Sequence, residues 1–181
     1  KSNQANDVIL EYLAKLYGSL NMYKEAIRVF RTMMKSTTNE FSVRALEKYC
    51  NIRVKDSLLN YKSNSLSKKD AILDISEILK DLESLNRFGE TAERWSLIGS
   101  GYKRLLILSN SSKISEILSS TIEAYQKASE LSDFEDSYPL TNWLQLLKLQ
   151  NGLWGKKGLK YAPLKARNAL STLLEKLENS Y

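Results

Sequence analysis

Apolar residues recur in this chain at intervals of three and four with almost no interruption, and that period sets the strongest limit on its fold. Between residues 71 and 85 they stand at Ala71, Ile72, Ile75, Ile78, Leu79, Leu82 and Leu85. Such spacing places side chains on one face of an α-helix. The alternation of a half-buried strand does not persist over any length. Only 7 Gly and 2 Pro occur in 181 residues. That leaves few of the turn residues an all-β chain needs and favours long helices with few connections. The expected fold is all-α, either a bundle or antiparallel hairpins stacked in series.

Eight helices follow from the spacing. The first is expected from about Asp7 to Leu20, with Val8, Ile9, Leu10, Leu13, Leu16 and Tyr17 as its apolar face and a stop at Gly18, Ser19 and Asn21. The second runs from about Met22 to Lys35, with Ala26, Ile27, Phe30, Met33 and Met34 facing inward. The third covers about Glu40 to Tyr61 through Phe41, Ala45, Leu46, Tyr49, Cys50, Val54 and Leu58. Ser67 followed by Asp70 predicts a capped start for the fourth helix, which ends before a turn at Asn86 to Gly89. The fifth spans about Glu90 to Leu108 and the sixth about Ser112 to Leu131. Pro139 suits the first turn of the seventh, which reaches Gln150. Gly152, Gly155 and Gly158 mark a flexible loop, and the eighth helix runs from about Pro163 to Asn179.

The helices also repeat. Trp95, Ile98, Gly99 and Tyr102 stand in the order W-x2-I-G-x2-Y, and Thr121, Tyr125 and Ala128 follow on the next helix. Leu10, Leu13, Ala14 and Tyr17 have the same spacing, followed by Ala26, Phe30 and Met33. Lys24-Glu25-Ala26-Ile27 is echoed by Lys69-Asp70-Ala71-Ile72, and Trp143, Leu146 and Leu147 by a last helix with Ala166, Leu170 and Leu173. This pattern resembles the tetratricopeptide repeat, whose first helix carries W-x2-L-G-x2-Y and whose second carries A-x3-F. The resemblance covers most of the chain. It implies a tetratricopeptide-like α-solenoid in one domain, 1–181, with hairpins at about 7–36, 40–86, 90–132 and 139–179. The sixth helix starts about ten residues later than a standard repeat allows, and Thr38 stands where the family usually has proline. The runs Thr91–Leu105 and Tyr138–Leu144 are also similar to the helical-repeat segments joined to caspase-like (CHAT) protease domains in large bacterial defence proteins.

Several chemistries are excluded by composition. With no histidine, imidazole-based catalysis and imidazole metal ligation are absent. One cysteine, Cys50, can form neither an internal disulfide nor a multi-cysteine metal site, and it reads as a small core residue. No phosphate-binding glycine loop occurs, because Gly99-Ser100-Gly101 lies inside a helical pattern. Glu130, Asp133, Glu135 and Asp136 read as a solvated, helix-capping turn. Neither a catalytic centre nor a cofactor or metal is expected. No run is apolar enough for a membrane span. The net charge of +6 is evenly spread, with 15 basic and 12 acidic residues in 1–90 and 12 and 9 in 91–181. A soluble cytoplasmic protein is expected. Lys1 in first position predicts a piece of a longer chain with covalently attached neighbouring domains.

The resemblance further implies a concave groove lined by first helices, binding a peptide or helix of a partner and regulating an attached effector. By that resemblance its lining is Glu11, Tyr12 and Lys15, then Ser96, Ser100 and Lys103, then Asn142, Gln145 and Lys148. A terminal-carboxylate clamp is not expected, since Glu11 stands where a cation is needed. The alternative is nucleic-acid binding. The stretch from Tyr138 to Leu174 has no acid, and Lys156, Lys157, Lys160, Lys165 and Arg167 are interleaved with Trp154 and Tyr161. Cations on phosphates with rings against bases hold single strands in this way.

Overall fold

The computed structural model describes residues 2–35, 42–109 and 111–150, together with Ala166, Asn168 and Thr172. Seven α-helices and one 3₁₀ turn occur among the described residues, and no strand. They are α1 (Ser2–Ser19), α2 (Tyr23–Lys35), α3 (Val43–Lys62), α4 (Lys68–Ser84), the turn Leu85–Phe88, α5 (Ala92–Leu108), α6 (Ser111–Leu131) and α7 (Ser137–Gln150). The expected loop at 151–160 lies outside the described residues, as does all of the expected eighth helix except three helical positions. The chain divides into two compact units, Lys1–Leu85 and Asn86–Tyr181.

The helix starts share one device. Ser42, Ser67 and Thr91 each accept, through the side-chain oxygen, a 3.1 Å hydrogen bond from the backbone N–H three residues on, at Ala45, Asp70 and Arg94. Each satisfies one of the donors that a helix leaves open. Ser67 Oγ also donates to Asp70 Oδ2 at 2.6 Å, closing the expected capping pair. Asp136 Oδ1 accepts from Tyr138 N at 2.9 Å at the start of α7. Pro139 sits in that first turn, where a missing N–H costs nothing.

The helix ends share another. After α1, Met22 N donates to Tyr17 O and Asn21 N to Gly18 O. After α3, Ser65 N donates to Asn60 O and Asn64 N to Tyr61 O. After α6, Phe134 N donates to Ser129 O and Asp133 N to Glu130 O. This paired reach-back needs a left-handed residue after the helix, usually glycine. Here Asn21, Asn64 and Asp133 supply it with φ of 60°, 58° and 52°. Asparagine and aspartate tolerate that region better than other non-glycine residues. The scarcity of glycine therefore reflects substituted corners as well as long helices.

In the first unit α1 pairs with α2 and α3 with α4, and α2 also packs on α3. Ala14 and Ala26 have no exposed surface, so the first two helices close tightly. Phe30 fills the space beyond them and meets Tyr49 edge-to-face at 5.7 Å. Gly18 brings α1 against α3, because a Cβ there would stand 2.8 Å from Ile52 Cδ1. Arg53 joins α3 to α4 through Asp74 Oδ1 at 3.0 Å and Asp81 Oδ2 at 3.5 Å, and Ser57 also donates to Asp74.

The apolar face expected for α1 needs correction. Val8, Ile9 and Leu16 are exposed, at 71, 64 and 45%. At 100° per residue the stripe Leu10, Leu13, Ala14, Tyr17 fills one arc. Residues 8, 9, 12 and 16 project to the other side, beyond the reach of α2 and α3. Met34 is likewise 39% exposed, whereas Met33 is buried.

In the second unit α5 pairs with α6 and α6 with α7. Gly99 lies flat against Tyr125, where a Cβ would come within 3.0 Å of the ring. Tyr125, Leu118, Ile122, Leu140, Trp143, Leu144, Leu146 and Ala166 form one core, with Phe134 stacked on Trp143 at 6.3 Å. Three second helices thus carry a buried triad at steps of four and three: Ala26, Phe30, Met33; Ala71, Ile75, Ile78; Thr121, Tyr125, Ala128.

Gly99→Val is expected to lower stability by about 1–3 kcal/mol, because the branched side chain must displace a fully packed ring; thermal denaturation checks this. At the α1 corner, Asn21→Val should cost about 1–2 kcal/mol for a left-handed residue while Asn21→Gly leaves the melting temperature nearly unchanged.

Candidate partner-binding surface

Helix register decides which side chains of α5 face outward. Trp95, Ile98, Gly99 and Tyr102 turn toward neighbouring helices, with Ile98 and Gly99 fully buried and Trp95 and Tyr102 half-buried. Lys127 Nζ stands 4.3 Å above the Trp95 ring. Lys103, one position beyond Tyr102, is exposed. Its Nζ donates to Asn142 Oδ1 of α7 at 2.8 Å, and Asn142 Nδ2 donates to Tyr138 O at 2.8 Å. The bond joins two first-type helices across the intervening α6.

Beside this bridge lies a cavity of about 450 Å³ lined by Lys103, Gln145, Leu146, Lys148 and Leu149. Leu149 is largely exposed, so the cavity offers an apolar surface under two cations. Asn142, Gln145 and Lys148 lie at steps of three along α7, which puts them on one side of that helix. Three of the expected groove residues, Lys103, Gln145 and Lys148, therefore line one cavity, while Asn142 is buried and meets them only through its bond with Lys103.

The field around them is positive. Tyr138 OH lies 3.3 Å from Tyr125 OH. Burial acts to raise Tyr138, but hydrogen bonds from Tyr125 and Ser100 and the charges of Arg104 and Lys103 outweigh it and hold the phenol below its usual value. Burial, then the bond to Tyr138, pushes Tyr125 up. Arg104 was not foreseen as part of this surface, although it follows Lys103 directly. Its Nη1 donates to Ser100 O at 2.8 Å and also to Ser100 Oγ.

Ser96 and Ser100 depart from expectation: both are buried, and they are packing positions rather than accessible lining. Small side chains on α5 let its neighbours close over them. Glu11, Tyr12 and Lys15 belong to the first unit. Glu11 and Lys15 pair with each other at 2.5 Å, one helical turn apart, so their charges cancel locally. Tyr12 is 71% exposed and shares its arc with Val8, Ile9 and Leu16. Lys156, Lys157, Lys160, Lys165 and Arg167 lie outside the described residues.

Cys50 is buried and desolvation, followed by the charge of Asp81, pushes its thiol from 9.0 up to about 12. The neutral thiol is a packing group and no nucleophile near neutral pH. Among the described residues no group of three or more His, Cys, Asp or Glu side chains could hold a metal. No described helix is long and apolar enough to cross a membrane. The turn before α7 holds its acids as caps and surface groups, with Glu130 accepting from Gln126 Nε2 at 2.8 Å. A protein-family model described as Tetratricopeptide Repeats-Sensor matches residues 22–147. No curated protein and no solved structure matches the chain.

The raised thiol has a consequence for alkaline stability. Below pH 9 the folded and unfolded chains both keep the Cys50 proton. Between pH 9 and about 12 only the unfolded chain releases it, so stability falls as pH rises through that window. Cys50→Ala should show a shallower alkaline decline than the parent chain in denaturant titrations at pH 8 and pH 10.5. Cys50 in the folded parent should react with a thiol reagent only at the rate of unfolding.

Proposed function

Because the chain belongs to the Tetratricopeptide Repeats-Sensor family, we propose that it is a protein-interaction scaffold whose α5–α7 face holds an acidic segment of a partner protein. The repeat type is in general a non-catalytic scaffold. The observation that carries the finer reading is the bridge from Lys103 to Asn142 beside a cavity with an apolar floor. Lys103 and Lys148 supply positive charge, and Leu146 and Leu149 supply apolar area. A segment placing a carboxylate beside an aliphatic or aromatic side chain complements both. Gln145 can read its backbone by donating and accepting at once. In a longer chain, occupancy of this face is the event to which an attached effector domain would respond.

Peptide display on the 181-residue chain tests the reading. Enriched peptides should carry Asp or Glu next to a large apolar residue. Against the best of them, Lys103→Glu with Lys148→Glu should weaken binding at least tenfold, about 1.4 kcal/mol. Lys15→Glu should change it little, since that lysine already has its own carboxylate. Equal affinity for the double variant and the parent removes the α5–α7 face as the binding surface.

A further inference from the structure

The first unit holds a second cationic cavity that shares no residue with the surface described above. Lys24, Arg28, Arg31 and Lys35 follow one another on α2 at steps of four, three and four. At about 1.5 Å per residue they make one stripe about 17 Å long. With Ile27, Thr32 and Asp56 of α3 they line a cavity of about 400 Å³. Among the described residues four cations face one carboxylate there, and Ile27 is the single apolar residue of the lining.

The charge is not neutralised from within. None of the four cations forms an ion pair among the described residues. The one acid of α2, Glu25, is half-buried and outside the lining. Arg31 Nε donates to Tyr49 OH at 3.5 Å, which ties its side chain to α3 and leaves the charge in place. Asp56 binds Asn60 Nδ2 at 3.0 Å. Burial holds the Asp56 carboxyl above its ordinary value, against the lowering effect of Asn60 and Lys24, and Asp74 and Glu25 add to the rise. Like charges three and four residues apart weaken a helix. Four of them on one stripe of the thirteen-residue α2 repel one another, and an anion lying along the stripe offsets that repulsion.

We propose that this cavity binds the phosphate chain of a small polyphosphate, such as inorganic tripolyphosphate or the triphosphate of a nucleotide, through Lys24, Arg28, Arg31 and Lys35. Two guanidiniums one turn apart can each grip phosphate oxygens with paired N–H groups, while the flanking lysines act as point charges. With one apolar residue and no aromatic ring in its lining among the described residues, the cavity offers little to a peptide side chain or a nucleobase. Recognition is by charge along the chain of phosphates.

Titration calorimetry of the 181-residue chain with sodium tripolyphosphate, in the absence of divalent ions, tests this. Binding should weaken steeply as salt rises. The double variant Arg28→Gln with Arg31→Gln should bind at least tenfold more weakly, with a shallower salt dependence and an unlowered melting temperature. Lys103→Gln should bind like the parent. ATP should bind within about threefold of tripolyphosphate, and orthophosphate at least tenfold more weakly. The proposal is overturned by absence of binding, by an unaffected double variant, or by orthophosphate binding as well as tripolyphosphate. It is also overturned if ATP binds more than tenfold tighter, which gives the base its own subsite, or if a glutamate-rich peptide binds more tightly than tripolyphosphate.

Discussion

A large ring pressed against a residue with little or no side chain is the contact on which the α1–α2 and α5–α6 hairpins rest. Tyr125 lies on Gly99 with no space between them. Phe30 is fully buried next to the Ala14 and Ala26 approach. Close packing between helices needs small residues where backbones converge and large ones where they diverge. Each second helix meets that demand in the same order, a small residue, then a large one four positions on, then a medium or small one three further. Once those contacts close, the outer positions of the first helices are free to carry charge.

The helical hairpins were legible in the sequence because their signals are local. Period, caps and the Trp-Gly-Tyr frame are all read within a few residues of one another. The capping pair at Ser67 and Asp70 and the burial of Ile98, Gly99, Phe30 and Tyr125 follow directly from such signals. The α1 face was over-read because Val8, Ile9 and Leu16 are apolar whichever arc they occupy. Composition cannot say which side a neighbour will cover. The corners were placed, with a stop at Asn21 and a turn at Asp133, but the left-handed backbone of Asn21, Asn64 and Asp133 shows only in their positive φ.

The proposed α5–α7 surface was half legible. Repeat register places Lys103, Gln145 and Lys148, and those three line one cavity, with Asn142 buried behind Lys103. Register alone does not reveal that Ser96 and Ser100 are roofed over, or that Lys15 is consumed by Glu11. Both depend on what a neighbour does, which is a tertiary fact. The cationic stripe of α2 was visible residue by residue, but only the fold shows that, among the described residues, Asp56 is the one carboxylate of the cavity lining.

The left-handed asparagines and aspartate at the corners carry a mechanical consequence. A glycine elbow would swing freely in the unfolded chain and would give way under load, whereas a residue with a side chain has fewer ways to rearrange. Each such elbow is also clamped by two backbone hydrogen bonds reaching into the preceding helix. Each corner therefore holds the angle between its two helices with fewer ways to rearrange than a glycine corner would have.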